Sequence, residues 1–397
     1  MNNQLSFPQR KRLLPALLFI LMGIPSFQAS AQSRAYIPGK DSSGVSYKPV
    51  AILKELHRVA DWQLDTWKKE GYKYPNADWT MAVCYTGLHA AGTLEGGEKY
   101  LNKLVSIGEE LSWNTGRRRF YADDYCVAQT YSLLYLTYKD KRMIAPFIKQ
   151  ADSILSQPHT EALNWKNNIQ NREWAWCDAL YMGPPALAYL STATGDSKYL
   201  DMACKLWWKT TDFLFDPTEK LYFRDESYFQ KKERNGAKTF WSRGNGWVVG
   251  GLVRMLENMP KSHPDRAKFE QLYRDMMERV AALQQSDGSW HASLLDPASY
   301  PVKEMSGTGF YCYALAWGLN QGILKEETYL PIVKKAWNAM TSSVMDNGKL
   351  GFVQPIGASP DNVDAQSTEV YGVGSFLLAG KEIYQYMKKH PNAMNPI

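Results

Sequence analysis

Residues 172–190, REWAWCDALYMGPPALAYL, set one carboxylate, Asp178, close behind two indole rings, Trp174 and Trp176. The break Gly183-Pro184-Pro185 follows. Proline is favoured in the first turn of a helix, so Pro184 and Pro185 predict a helix start and leave Asp178 in the segment leading into it. Apolar rings strip water from a carboxyl group and disfavour its charged form. That raises its pKa and lets it donate a proton near neutrality. The competing role for Asp178 is a helix N-cap, accepting from the first backbone N–H groups.

Three further groups fit the same chemistry. Asp123 and Asp124, in RRRFYADDYCVAQTY, precede an apolar segment: one is expected to cap a helix and the other to face Asp178, and spacing does not choose between them. FWSRGNGWVVGG carries Arg243, whose guanidinium can fork onto a carboxylate, Trp247, which can stack on a sugar-sized ring, and Asn245 between two glycines. DGSWHAS adds Trp290 and His291. Metal-ligand spacing, a phosphate loop, a dinucleotide fingerprint and a G-x-S-x-G elbow are all absent from the sequence, so neither cofactor nor metal is expected. An aromatic cleft with a carboxylic acid, a second carboxylate and an arginine is a carbohydrate site, suited to an acidic oligosaccharide.

The elements that must position these residues are helices. Period-2 alternation is scarce, while apolar residues recur at i, i+3, i+4 and i+7 in six amphipathic segments, such as PVAILKELHRVADWQLDTWKK and DRAKFEQLYRDMMERVAALQQ. Between them lie six segments rich in Gly, Ala and aromatics, beginning at Trp79, Asp124, Pro184, Gly244, Gly307 and Tyr371. Segments apolar on every side belong in an interior. The alternation repeats every roughly 45 to 65 residues, and six pairs close into an all-α (α/α)6 barrel of six inner and six outer helices. Each outer helix runs back, so the inner six are parallel, and the segments leading into them emerge at one barrel end. Six helix N-termini there would favour an anionic ligand.

The chain has 397 residues, 45% of them hydrophobic, enough for a large core. Arg10-Lys11-Arg12, the apolar run Leu13 to Ile24 and Ala29-Ser30-Ala31 read as a signal peptide over 1–31, cleaved after Ala31, with residues 32–397 as one catalytic domain exported to a periplasm. Removing the three basic residues lowers the net charge from +6 to +3. A balance that small, with no basic run carrying interleaved aromatics, argues against nucleic acid. No later apolar run reaches the about 18 residues a membrane span needs. Five scattered cysteines without C-x-x-C spacing are expected as buried free thiols.

The segments WAWCDALYMGPPALA, FWSRGNGWVVGGLVRMLE, DGSWHASLLDP, EMSGTGFYCYALAWGLNQG and GKLGFVQPIG resemble glycoside hydrolase family 105, the unsaturated rhamnogalacturonyl hydrolases. The resemblance spans nearly all of the chain beyond residue 31. It implies an (α/α)6 barrel that hydrates the Δ4,5 double bond of a terminal unsaturated uronic acid. Asp178 would then be the general acid protonating C4, with Asp123 or Asp124 as its partner. Arg243 and Trp247 match positions that line the uronate site. Some members place a His in a YHGWD-like stretch where this chain reads LYFRDESYF, so Arg224 is expected to meet the substrate carboxylate or the next sugar, whose identity is left open. Two rival functions fit the same cleft: an inverting glycosidase for saturated sugars, and a non-catalytic oligosaccharide-binding protein.

Overall fold

A computed structural model describes residues 45–394, so the signal segment and cleavage point expected from the sequence lie outside the described residues. Twelve α-helices alternate between two layers among those residues. The outer layer holds α1 (Pro49–Glu70), α3 (Glu98–Glu110), α5 (Ala145–Leu155), α7 (Lys198–Leu214), α9 (Arg266–Ala282) and α11 (Glu326–Thr341). The inner layer holds α2 (Trp79–Gly92), α4 (Ala128–Tyr138), α6 (Ala179–Thr194), α8 (Ser242–Asn258), α10 (Met305–Asn320) and α12 (Val370–Lys389). Each inner helix packs on the next, and α12 returns to α2, which closes the ring expected from the repeat. α10, for example, is buried from Met305 to Leu319, whereas α9 buries one stripe and leaves its charges outside.

Two boundaries differ from the sequence expectation. α6 begins at Ala179, five residues before Pro184, so both prolines sit inside the helix. Proline at 185 removes the N–H that would bond to the Tyr181 carbonyl four residues back. Gln129 Nε2 on α4 replaces it at 2.7 Å, and Arg254 Nε on α8 holds the Gln129 amide oxygen at 2.6 Å. A break read locally is thus healed by neighbours in the ring. α4 starts at Ala128, because Ala122–Tyr125 forms a separate 3-10 turn.

The segments leading into the inner helices knit together at one end. Two short antiparallel hairpins, β1–β2 (Phe215–Asp216 with Leu221–Tyr222) and β3–β4 (Trp290–His291 with Lys303–Glu304), stiffen them. Cys177 N donates to Arg224 O at 2.8 Å, Met305 N to Phe352 O at 2.8 Å, and Tyr228 Oη to Ala358 O at 2.6 Å. All five cysteines are free and buried, and no described helix is long and apolar enough to cross a membrane.

Ring closure depends on backbone contact. A Cβ at Gly374 of α12 would lie 2.4 Å from Val83 O of α2, and one at Gly87 would lie 2.4 Å from Gly374 O. No side chain is there to move aside. Gly374→Ala should therefore destabilise the barrel by about 1–3 kcal/mol, the usual cost of overpacking a filled interior. A thermal melt that drops by several degrees would fit; an unchanged melt would mean that the two helices are free to separate.

Candidate active site

Asp178 is the residue immediately before α6, yet its carboxylate makes no hydrogen bond to the helix N–H groups, so it is not a cap. Its recorded contact is the Cys177 thiol, which donates to Oδ2 at 3.3 Å. Burial raises the Asp178 pKa, opposed by the Arg224 cation, the Cys177 contact and the Arg243 cation. The residue is only partly exposed, recessed without being sealed off from solvent.

Asp123 and Asp124 differ in their partners. Asp124 Oδ1 takes the Arg118 guanidinium at 2.6 Å and Oδ2 takes Arg118 backbone N–H at 2.6 Å, while Gly116 lies so close that a Cβ would touch the carboxyl. Asp124 therefore braces the loop ahead of α4. Asp123 is buried, and loss of water pushes its carboxyl up to about 7; the Tyr121 hydroxyl opposes the rise and the nearby charge of Asp178 adds to it. Both carboxyls are thus held above the usual carboxylate range, chiefly by loss of water.

The wall around this pair is a ladder of rings and cations. The Arg118 guanidinium lies 3.8 Å over Tyr121, and Tyr121 stacks on Trp176 at 5.3 Å. Trp176 meets Trp165 edge-on at 6.4 Å, and Arg224 lies 4.7 Å over Trp165. Glu226 fixes Trp165 by accepting its backbone N–H at 2.7 Å. Arg224 pairs with Asp225, and its Nε is buried without a protein partner. Trp176 and Arg224, both singled out from the sequence, lie in this wall. Arg118, Tyr121 and Trp165 were not anticipated. They sit in irregular loops, where periodicity carries no signal, although Arg118 and Tyr121 stand in the same RRRFYADDY stretch as Asp123.

Other anticipated contacts turn inward. Arg243 forks onto two backbone carbonyls, Gln354 O at 2.6 Å and Pro355 O at 2.9 Å, between the rings of Trp241 and Tyr371. At 1% exposure it anchors the 351–357 loop, and only its charge reaches Asp178. Trp247, also 1% exposed, packs among Trp79, Tyr181, Phe310 and Tyr371, leaving no face for a sugar. Asn245 clips β2 to α8 by bonding both Tyr222 N and Tyr222 O. Trp290 is fully buried and donates to Val280 O at 2.8 Å. Trp174 is buried behind α6, donating to Tyr125 Oη at 2.6 Å. His291 has Nδ1 at 3.2 Å from Pro297 O and Nε2 at 3.7 Å from Asp287, a pairing that braces its loop. Each correction has one cause: the residue types that read sugars also fill cores, and only burial separates the two uses.

A cavity of about 320 Å³ at the opposite barrel end, near Glu257, Trp317 and Lys381, is remote from this pair. The two carboxyls with raised pKa values, not cavity size, make the mouth the candidate site.

The sequence pattern of Glycosyl Hydrolase Family 88 matches residues 55–387. An unsaturated 3S-rhamnoglycuronyl hydrolase of Formosa agariphila is 39% identical over 318 residues, 77% of this chain and 84% of that one. A second enzyme of that name, from an Alteromonas species, is 35% identical over 83% of this chain and 85% of its own. The solved structure of a Bacteroides vulgatus family 88 glycosyl hydrolase superposes with a TM-score of 0.78 at 29% identity, covering 85% of this chain and 99% of that one. With the barrel, the carboxyl pair and a match over most of its length in hand, the chain belongs to Glycosyl Hydrolase Family 88 and is a glycoside hydrolase.

Proposed function

We propose that this enzyme removes a Δ4,5-unsaturated uronic acid from the non-reducing end of oligosaccharides made by polysaccharide lyases. The supporting observation is the pair Asp123 and Asp178, both carboxyls raised by burial inside a wall of rings. In this reading Asp178 gives its proton to C4 of the enol ether, and positive charge develops at C5 beside the ring oxygen. Water adds at C5 while the carboxylate pair takes up its proton. The hemiketal then opens and expels the neighbouring sugar, with no bond formed to the enzyme. The rings of Trp176 and Trp165 favour the developing cation.

Arg224 links binding to proton supply. In this reading the two carboxyls share a proton, and Arg224 with Arg243, by favouring the charged form of Asp178, leaves it nearer Asp123 in the free enzyme. A uronate carboxylate docked on Arg224 offsets that cation and moves the proton onto Asp178 as substrate arrives. The double bond erases the C4 and C5 centres, and with C4 the difference between glucuronate and galacturonate, so selectivity falls on the next sugar. The names of the two relatives favour a 3-sulfated rhamnose there, and the cationic rim of Arg118 and Arg224 suits a second anion. An unsulfated rhamnogalacturonan fragment is the other form of this substrate class. Export through the segment at 1–31 belongs to the same proposal.

Asp178→Asn should lower kcat by at least about 10²-fold, the low end for losing general acid catalysis. The readout is loss of the conjugated double bond's ultraviolet absorbance on unsaturated uronyl-rhamnose with and without the 3-sulfate. A fully active Asp178→Asn enzyme, or equal cleavage of a saturated uronide, would overturn the reading. Asp123→Asn should be comparably impaired. Asp124→Asn should keep most of kcat and instead lose stability, about 1–3 kcal/mol for an unpaired buried donor and less because Arg118 is half exposed.

The acid works only while protonated. The rate should therefore hold at mildly acidic pH and fall as pH rises through about 7, where Asp123 gives up its proton. In Asp123→Asn the neighbouring charge is gone, so Asp178 ionises at lower pH and the alkaline limb should shift down. A limb unmoved in that variant would show that the two carboxyls do not share a proton.

A further inference from the structure

At the barrel end remote from Asp178, α7 and the segment before α9 bring four potential metal ligands together. Cys204 Sγ, a ring nitrogen of His263 and a carboxylate oxygen of Asp265 all lie within 4.8 Å of one another. Asp201, one turn before Cys204 on the same face of α7, approaches His263 Nε2 at 3.4 Å. Three donor types thus meet from two elements about 60 residues apart along the chain. That is why spacing along the sequence, which shows no C-x-x-C or H-x-x-x-H, did not reveal them.

Packing alone does not account for this arrangement. Asp265 occupies the N-cap position of α9, where an aspartate ordinarily accepts from the second or third helical N–H, yet its side chain makes no such bond. The carboxylate forgoes its cap and turns toward Cys204 and His263. Cys204 is buried with its sulfur on this cluster rather than on a neighbouring cysteine. His263 Nδ1 accepts the Asp265 backbone N–H at 3.2 Å, so its lone pair is on Nδ1 and its proton is on Nε2, directed at Asp201. A carboxylate holding one ring N–H while the other nitrogen offers its lone pair is how metal-bound histidines are commonly oriented.

We propose that Cys204, His263 and Asp265 bind a zinc-class divalent ion, with Asp201 orienting the histidine. Sulfur, imidazole and carboxylate together suit Zn²⁺ over Mg²⁺ or Ca²⁺, which prefer all-oxygen shells. Binding displaces the weak Asp265 N–H contact from Nδ1, releases the Cys204 thiol proton to solvent and leaves water in the fourth position. The ion ties α7 to the start of α9 in the outer layer. It is a structural clasp, separate from the sugar chemistry, and stands whether or not the substrate reading holds.

The test is titration of the full-length folded enzyme with Co²⁺, read by absorption. Binding one equivalent should produce the near-ultraviolet thiolate-to-cobalt band and intense visible bands of a four-coordinate ion, both displaced by Zn²⁺. Cys204→Ser should abolish the thiolate band. Asp265→Asn, a partly exposed change that leaves the core intact, should weaken binding, and Asp201→Asn should do so about 10–100-fold, as loss of an orienting partner does. The wild-type melting temperature should rise with Zn²⁺, and kcat/KM of Asp201→Asn should equal wild type. Absence of a thiolate band, its persistence in Cys204→Ser, or binding unaffected by both aspartate changes would overturn the proposal.

Discussion

Placing Asp123 and Asp178 side by side and out of water costs free energy that the surrounding scaffold must offset. The barrel's mouth is arranged around that cost. The ring ladder from Arg118 to Arg224 excludes water from one side of the pair. Nearby cations oppose the rise and favour the ionised state of each carboxyl. Arg118 and Arg224 are themselves held by Asp124 and Asp225, so neither is free to collapse onto the acid pair. Charges that look redundant in a list of ion pairs are, in this arrangement, spacers.

The scaffold is tuned by side chains reaching between inner helices. Pro184 and Pro185 interrupt the hydrogen-bond ladder in the second turn of α6, just below Asp178. The carbonyl they orphan is taken by Gln129, which Arg254 in turn holds, so α4, α6 and α8 share one polar chain through an otherwise apolar interior. Arg254 Nε is used in this chain, while its Nη2 is buried without a protein hydrogen-bond partner. The chain ties together three helices, two of which follow the segments carrying Asp123 and Asp178, while the third carries Arg243 in its first turn.

Much of this was legible in the sequence, and the remainder was hidden for physical reasons. The two classes of helix could be read because burial on all sides and burial on one stripe leave different compositions. Asp178 stood out through its neighbours. By contrast, Arg243, Asn245, Trp247 and Trp290 have the chemistry of a sugar site and the surroundings of a core, and composition cannot tell the two apart. Asp123 and Asp124 were separated only by what each touches. Trp165 and Tyr121 lie in loops whose path depends on tertiary contacts, such as Glu226 holding Trp165 in place. Pro184 marked a helix start by local rule, yet the ring supplied the missing bond and let the helix begin earlier.

The seam between α12 and α2 has a consequence for how the molecule is made. The two helices touch backbone to backbone at Gly374, Gly87 and Val83, although nearly 300 residues separate them along the chain. Five-sixths of the inner ring precedes this final stave along the chain, and α2 lacks its neighbour on that flank until the 20 residues of α12 have been made. Closure therefore waits on the last inner helix, and an incomplete ring would expose apolar surface, where aggregation competes with folding.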